Sequence, residues 1–329
     1  MPLINRCGGG GGTPQLCGQV ENFEAGLGNL SAILSWTAPS PDEDNSFVGA
    51  RIVRKIGSAP TGINDGTVVY EGTALTYTDT GLTAGTTYYY RAFAYNAKKK
   101  YQTEYRVASL TAIAIYPNFA DNDWDAIIDA CHSGNVPDTW VAGDSKAMTI
   151  DGVNYQFDIV GKNHDTYTAG GIAPLTFGLH DCYGTKYQMN SSDTNSTGWD
   201  GSKMRTETLP AILAKMPVNI RNGIRAVNKL TATSGKDSAI KTASDKLFTF
   251  SEMEVYGSAT KSYSGEGKQY DYYKAGNSKV KKVGSTASWW WLRSPRMNDS
   301  YSFCAVNRDG SVDNSSPSGL SGVCFGFCF

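Results

Sequence analysis

Trp289-Trp290-Trp291-Leu292-Arg293-Ser294-Pro295 and Cys324-Phe325-Gly326-Phe327-Cys328-Phe329 bracket the stretch whose reading decides the fold of this chain. From Val283 to Phe329 there is no Lys, Glu or Gln, while Ser, Asn and Gly fill 18 of the 47 positions. Surface loops normally draw on Lys and Glu for solubility, so residue choice here is limited by something other than folding. In strand alternation Trp289, Trp291 and Arg293 point one way and Trp290 and Leu292 the other, so at least one face must be core. The tryptophans could form an exposed platform for sugar rings. Framework is the stronger reading, with Arg293 hydrogen-bonding backbone carbonyls beneath a binding face. The closing segment alternates Cys with Phe, as a core strand does.

The rest of the chain sets the limits. At 329 residues it is long enough for two domains, because single cores stop growing near about 250–300 residues. Thirty basic and 31 acidic residues give a net charge of −1, which provides no global field for nucleic acid or anionic lipid. The runs Lys98-Lys99-Lys100 and Lys279-Val280-Lys281-Lys282 read as solvated surface. No apolar run approaches the roughly 20 residues needed to span a bilayer, and Met1 to Cys7 lacks the apolar core of a secretory signal. The expectation is a soluble product made in the cytosol, which leaves by another route, such as lysis, if it works outside the cell. Residues 1–17, with glycines at 8–12, read as a flexible arm, either a partner-ordered attachment point or a disordered leader. Seven cysteines show no metal spacing; reduced thiols are expected, with Cys7 and Cys17 left ambiguous.

Val20 to Ala114 reads as short strands separated by turns, among them Ala32–Trp36, Phe47–Lys55, Thr67–Tyr70 and Tyr88–Tyr95. Trp36 before Pro39, and Leu82-Thr83-Ala84-Gly85-Thr86-Thr87-Tyr88 leading into Tyr90–Ala94, resemble a fibronectin type III domain. That resemblance implies an all-β sandwich over residues 18–114, with Trp36 in the core, Tyr88 as the tyrosine-corner residue, and a spacer role.

Beyond it the period changes. Trp124, Ile127, Ile128 and Cys131 share one helical face, with Asp121 as N-cap and Gly134 as stop. Met148 to Phe157 alternates around Asp151-Gly152, a hairpin signal. Leu209, Ile212, Leu213 and Met216 form a second helical stripe ended by Pro217, while Gly257 to Ser288 reads as polar loop. Helices among hairpins indicate an α+β domain. Gly143-Asp144, Asn163-His164-Asp165, Gly198-Trp199-Asp200, Leu209–Leu213, Lys246-Leu247-Phe248, Trp290–Pro295 and Val306–Gly310 recur in this order in bacterial and phage domains similar to the formylglycine-generating-enzyme variant of the C-type lectin fold. The resemblance implies a C-type-lectin-like fold over residues 115–329. Phage tail proteins and the variable proteins of diversity-generating retroelements belong to that family.

His164-Asp165 and His180-Asp181 invite a metal reading, but no zinc or calcium spacing accompanies them, and a buried hydrogen-bonding role is expected instead. No cofactor and no catalytic residue is implied. The fold's namesake enzyme uses paired cysteines near its C-terminus, which leaves a thiol enzyme built on Cys324 and Cys328 as an alternative. No His or Lys within 40 residues along the chain is placed to activate Cys324.

In diversity-generating retroelements, template adenines are randomised and asparagine codons are the usual targets. Such changes yield Asn, Ser, Asp, Gly, Tyr, Arg, Ala, Leu, Pro and several others, but never Lys, Glu or Gln. Residues 296–321 fit that alphabet except for Met297; the competing reading is an ordinary Ser-rich region. The expected ligand-binding residues are Arg296, Asn298, Ser300, Tyr301, Ala305, Arg308, Ser311, Asp313, Ser315, Pro317, Gly319 and Leu320. The expectation is a phage tail receptor-binding protein in the virion, recognising a host cell-surface protein or glycan and joined to other tail proteins through its N-terminal arm. A bacterial surface adhesin or structural tail component with a fixed ligand is the alternative. A homotrimer would suit a tail protein, although no coiled-coil pattern specifies one. No membrane insertion is expected.

Overall fold

The computed structural model describes residues 17–40 and 47–329, which divide into two compact units, Met1–Ile115 and Tyr116–Phe329. The expected arm lies outside the described residues except for Cys17, which is buried in the first core, with its carbonyl accepting from Gln102 at 2.7 Å.

The first unit is a fibronectin type III-like β-sandwich. Its strands are β1 (Glu21–Gly28), β2 (Ser31–Thr37), β3 (Phe47–Ile56), β4 (Thr67–Gly72), β5 (Thr76–Thr80), β6 (Thr87–Asn96) and β7 (Arg106–Thr111). They form a three-stranded sheet β1-β2-β5 and a four-stranded sheet β4-β3-β6-β7. Trp36 is buried between the sheets, with Phe23 at 6.2 Å and Tyr70 at 5.5 Å between ring centroids. The Tyr88 hydroxyl accepts from Thr83 N at 3.1 Å, which closes a tyrosine corner.

The second unit is α+β. Helix α1 (Trp124–Ser133) starts from Asp123, whose carboxylate accepts from Ala126 N at 2.7 Å, so the N-cap lies two residues beyond the expected Asp121. Gly134 ends it in the left-handed conformation, φ 73°. The second expected helix begins earlier, as one π turn over Met204–Thr208, and continues as α2 (Leu209–Lys215). Pro217 ends it but also opens an unanticipated α3 (Val218–Gly223). Helices α4 (Glu252–Tyr256) and α5 (Asp271–Lys274) complete the set.

Strands β8 (Ser145–Ile150) and β9 (Val153–Lys162) join through Asp151 and Gly152, both at positive φ, as the Asp-Gly signal requires. Then follow β10 (Leu175–Leu179), β11 (Lys186–Tyr187), β12 (Val227–Ser234), β13 (Asp237–Asp245) and β14 (Phe248–Thr249). The expected polar loop holds α5 and a hairpin, β15 (Lys281–Val283) with β16 (Thr286–Ser288), because Tyr270, Tyr272 and Tyr273 turn inward. The tail supplies β17 (Trp290–Pro295), β18 (Phe303–Val306), β19 (Val312–Ser315), β20 (Ser321–Gly322) and β21 (Phe325–Cys328). Two five-stranded sheets result, ordered β14-β21-β10-β9-β8 and β11-β20-β17-β18-β19. Phe325 and Phe327 pack with Phe157, and Phe327 also packs with Phe177 and Trp124. The closing strand is therefore core, as its alternation indicated.

Simple alternation fails in β17. Trp291 pairs with Ala305 and Pro295 with Phe303, so four residues on one strand span two on the other. The bulge turns Arg293 N toward Phe250 O at 2.8 Å, and Trp290 through Pro295 are all buried. Trp290 Nε1 donates to Lys279 O at 2.9 Å and Trp291 Nε1 to Tyr187 O at 2.7 Å, which makes both indoles framework.

Arg293 reaches backbone carbonyls as expected: Leu230 O at 3.0 Å, Thr249 O at 2.9 Å and Glu266 O at 3.2 Å. It also forms a two-pronged ion pair with Glu254, at 2.5 and 2.8 Å. Lys229 Nζ lies 2.6 Å from Glu254 and 2.8 Å from Asp165, and Tyr270 and Thr176 each donate to Asp165 at 2.7 Å. Burial alone would raise both carboxyls. For Asp165, Lys229 and the hydrogen bonds outweigh it and hold the group at about 2; for Glu254, Arg293 and Lys229 hold it below its usual value. Both folded values are depressed, so their stabilisation is present above the unfolded carboxyl range of about 4 and is lost as pH falls through about 2. The expected outcome is a second-unit Tm that drops steeply between about pH 4 and pH 2, measured by calorimetry on the full chain. Arg293→Met leaves Glu254 buried without its main partner and should cost about 3–5 kcal/mol in urea denaturation.

Candidate functional site

Residues 296–302 connect β17 to β18, and residues 316–320 connect β19 to β20. Pro295 pairs with Phe303 and Phe303 with Ser315, so both loops leave the same end of the β17–β18–β19 ladder. The turn at 307–310 leaves the other end, where Val306 pairs with Val312, about 10 Å away along the strands.

The first loop is held by its backbone. Asn195, fully buried, donates from Nδ2 to Asp299 O at 3.0 Å and Ser302 O at 2.7 Å, and from its backbone N to Ser300 O at 2.9 Å. Its Oδ1 accepts from Gly235 N at 3.2 Å. Lys236 Nζ reaches Asn298 O at 2.8 Å, and Met297 N reaches Lys261 O at 2.8 Å. Gly235 must lack a side chain, because a Cβ there would lie 1.9 Å from Asp299 O. Within the loop, Asp299 accepts from Tyr301 N at 2.8 Å and pairs with Arg296 at 3.3 Å.

The second loop is held in the same way. Pro317 O accepts from Met189 N at 2.9 Å and Asn190 N at 3.0 Å, while Gln188 donates to Ser318 O at 2.8 Å. Asp193 accepts from Ser318 N at 3.1 Å and from the Ser316 hydroxyl, and these bonds hold its carboxyl below the usual range. Asn195, Gly235, Lys236, Asp193 and Gln188 thus shape the site from more than 60 residues away along the chain. Nothing in their local sequence distinguishes them from ordinary loop residues.

The twelve expected ligand-binding residues therefore separate. Arg296, Asn298, Ser300, Tyr301, Ser315, Gly319 and Leu320 gather at the two-loop end, with Tyr301 67% and Leu320 62% exposed. Asp313 sits mid-strand on the sheet edge, 3.8 Å from Lys261. Arg308 and Ser311 are exposed but lie at the opposite end. Two expectations are corrected: Ala305 is fully buried in β18, and Pro317 is buried under its loop, so neither presents a side chain at the surface. Arg308's turn has its own framework, with Tyr256 donating to Gly310 O at 2.8 Å.

Other sequence readings also change. Asp165 is the buried hydrogen-bonding aspartate expected, whereas His180 is largely exposed and pairs with Asp158 at 2.9 Å instead of Asp181. Lys281 is buried, not solvated, and donates to His180 O at 2.7 Å. Cys324 and Cys328 do not form a thiol pair. They lie four residues apart, about 13 Å along the strand, and Cys328 contacts Thr176 and Asp165 while Cys324 faces Cys182. Burial pushes both thiols well above the ordinary value. Among the described residues no three His, Cys, Asp or Glu side chains cluster as metal ligands.

Residues 175–325 match a domain of unknown function (DUF6273). No curated protein is significantly similar to the chain. Similar solved structures include a computationally redesigned β-sandwich protein, 21% identical with a TM-score of 0.24, covering 30% of this chain and 96% of that one. Another is the fibronectin type III domain of human fibronectin type III domain containing protein 3, 20% identical with a TM-score of 0.24, covering 33% of this chain and 93% of that one. A fibronectin type III domain from the human KIAA0970 protein is 20% identical with a TM-score of 0.26, covering 36% and 93%.

Removing the central clasp should loosen one loop selectively. In Asn195→Ala, hydrogen exchange of amides 298–302 should accelerate at least about 10-fold, while those of Phe303–Val306 keep their protection. Equal acceleration in both segments would mean that Asn195 supports the whole sheet and not the loop.

Proposed function

We propose that the second unit is a C-type-lectin-like ligand-binding domain whose loops 296–302 and 316–320 form a changeable recognition surface. In this reading the chain is a phage tail receptor-binding protein. The fibronectin type III-like unit serves as a spacer, and residues 1–17 meet other tail proteins. The binding is noncovalent, with a host-surface protein or glycan as the partner.

One observation carries the reading: both loops are fixed through their main chain by residues outside them, while Asn298, Tyr301 and Leu320 turn outward. A side chain that makes few of the bonds shaping its loop can change without changing the loop. Tyr supplies large contact area at low entropic cost, and Ser, Asn and Gly supply adaptable polar contacts. Adenine-directed diversification acts on this kind of position. The order of the recurring motifs from Gly143-Asp144 to Val306–Gly310 supports the same family.

Tyr301→Ala and Leu320→Ala should each reduce adsorption of the labelled full-length chain to intact host cells about 10-fold or more, without lowering Tm. Arg308→Ala, at the far end of the sheet, should have the smaller effect. Unchanged adsorption in both loop variants overturns this surface. Sibling isolates should differ at codons 296–302 and 316–320, and the flanking DNA should carry a near-repeat of this region beside a reverse transcriptase gene. Invariant codons with intact adsorption would return the module to a fixed-ligand adhesin.

A further inference from the structure

Cys182 and Cys324 are 142 residues apart in sequence, yet their sulfurs stand 3.1 Å apart. The surrounding backbone enforces the approach. Tyr183 N donates to Val323 O at 2.8 Å and Cys182 N to Lys282 O at 2.8 Å, while β11 pairs with β20 immediately beyond. Gly322 provides the room, because a Cβ there would lie 2.4 Å from Cys182 Sγ. The two thiols differ in access. Cys324 is fully buried in the closing segment, whereas Cys182, buried but 5% exposed, borders a cavity of about 360 Å³ whose walls include Tyr155, His180, Asp181 and Lys282.

We infer that Cys182 and Cys324 form a disulfide-forming site, in which a small disulfide enters this cavity, reacts with Cys182, and is displaced by Cys324. In the first step the Cys182 thiol gives up its proton and its sulfur attacks one sulfur of the reagent. The reagent's S–S bond breaks, and one small thiol leaves with that proton. In the second step Cys324 loses its proton and attacks the Cys182 sulfur of the mixed disulfide, which releases the second small thiol. Two protein thiols are oxidised and one small disulfide is reduced to two thiols. Cys182 is the entry thiol because it faces the cavity. Cys324 is the resolving thiol because it is fully buried, does not line the cavity and stands 3.1 Å from the Cys182 sulfur.

The cross-link ties the link between β20 and β21 to the segment after β10, closing a 142-residue loop. A protein made in a reducing cytoplasm and then released would meet the oxidant only outside. The bond would form whether or not the loops bind a ligand.

The test treats the folded full-length chain with oxidised glutathione, alkylates it under denaturing conditions and maps peptides by mass. The expected result is a Cys182–Cys324 linked peptide and loss of two of the seven alkylatable thiols. The second-unit Tm should rise on the order of 5–10 °C, reversed by dithiothreitol. Cys324→Ser should instead trap one glutathionyl group on Cys182, and Cys182→Ser should leave Cys324 unmodified. Finding both thiols free after treatment of the folded wild-type chain overturns the proposal, as does a cross-link to any other cysteine. The wild-type map decides even if a serine variant does not fold.

Discussion

The ion pair between Arg293 and Glu254 is the constraint on which the second unit depends. Taking a guanidinium and a carboxylate out of water costs several kcal/mol each, and the pair is tolerable only when nearly every donor and lone pair is occupied. Here Arg293 spends its N–H groups on Glu254 and on the carbonyls of Leu230, Thr249 and Glu266. Glu254 also caps its own helix by accepting from Ser251 N at 3.0 Å and is shared with Lys229. One side chain thereby joins β17 to β12, to β14 and to the segment around Glu266. A hydrophobic residue could fill the volume but could not specify which carbonyls meet.

The placement of this network explains the loops around it. Arg293 can reach inward only because β17 bulges, and the bulge ends at Pro295, where the 296–302 loop begins. The strand up to Pro295 is therefore pinned from below, and Phe303–Val306 are paired to β17 and β19. Between Pro295 and Phe303 Asn195 gives three hydrogen bonds to main-chain oxygens and none to a side chain of the loop. The loop's shape is thus stored outside the loop. If the loop binds a ligand as proposed, a rigid scaffold would spare that surface the entropy of ordering itself on binding.

Local chemistry in the chain was legible where it acts locally. The Asp151-Gly152 turn, Gly134 at the end of α1, Trp36 in the sandwich and the Tyr88 corner each depend on neighbours within a few residues or on one family pattern. Asp121 was mistaken for Asp123 because two aspartates preceded the same apolar stripe, and only backbone geometry chooses between them. The polar stretch before Ser288 hid α5 because its tyrosines are buried by contacts such as Phe250 with Tyr270, 20 residues away in sequence. The site was half legible. Composition marks a candidate segment, but sheet register sends Arg308 and Ser311 to one end and Tyr301 and Leu320 to the other. Asn195 and Cys182 could not be read at all, since their partners lie more than 100 residues away.

Burial also changes what the missing Lys, Glu and Gln mean. Of the 47 residues from Val283 to Phe329, 21 are buried, and a long polar side chain is kept there only where its polar groups find partners, as at Arg293. The absence carries information only at the other 26 positions. Those positions do not avoid charge: Arg296, Arg308, Asp299, Asp309 and Asp313 all stand there, and the last four are not confined to one loop. A surface selected for low charge would have lost Arg and Asp with Lys and Glu. A surface selected for solubility would have kept Lys and Glu first. Use of Arg and Asp without Lys, Glu or Gln is the pattern that the proposed adenine-directed diversification would leave at these positions.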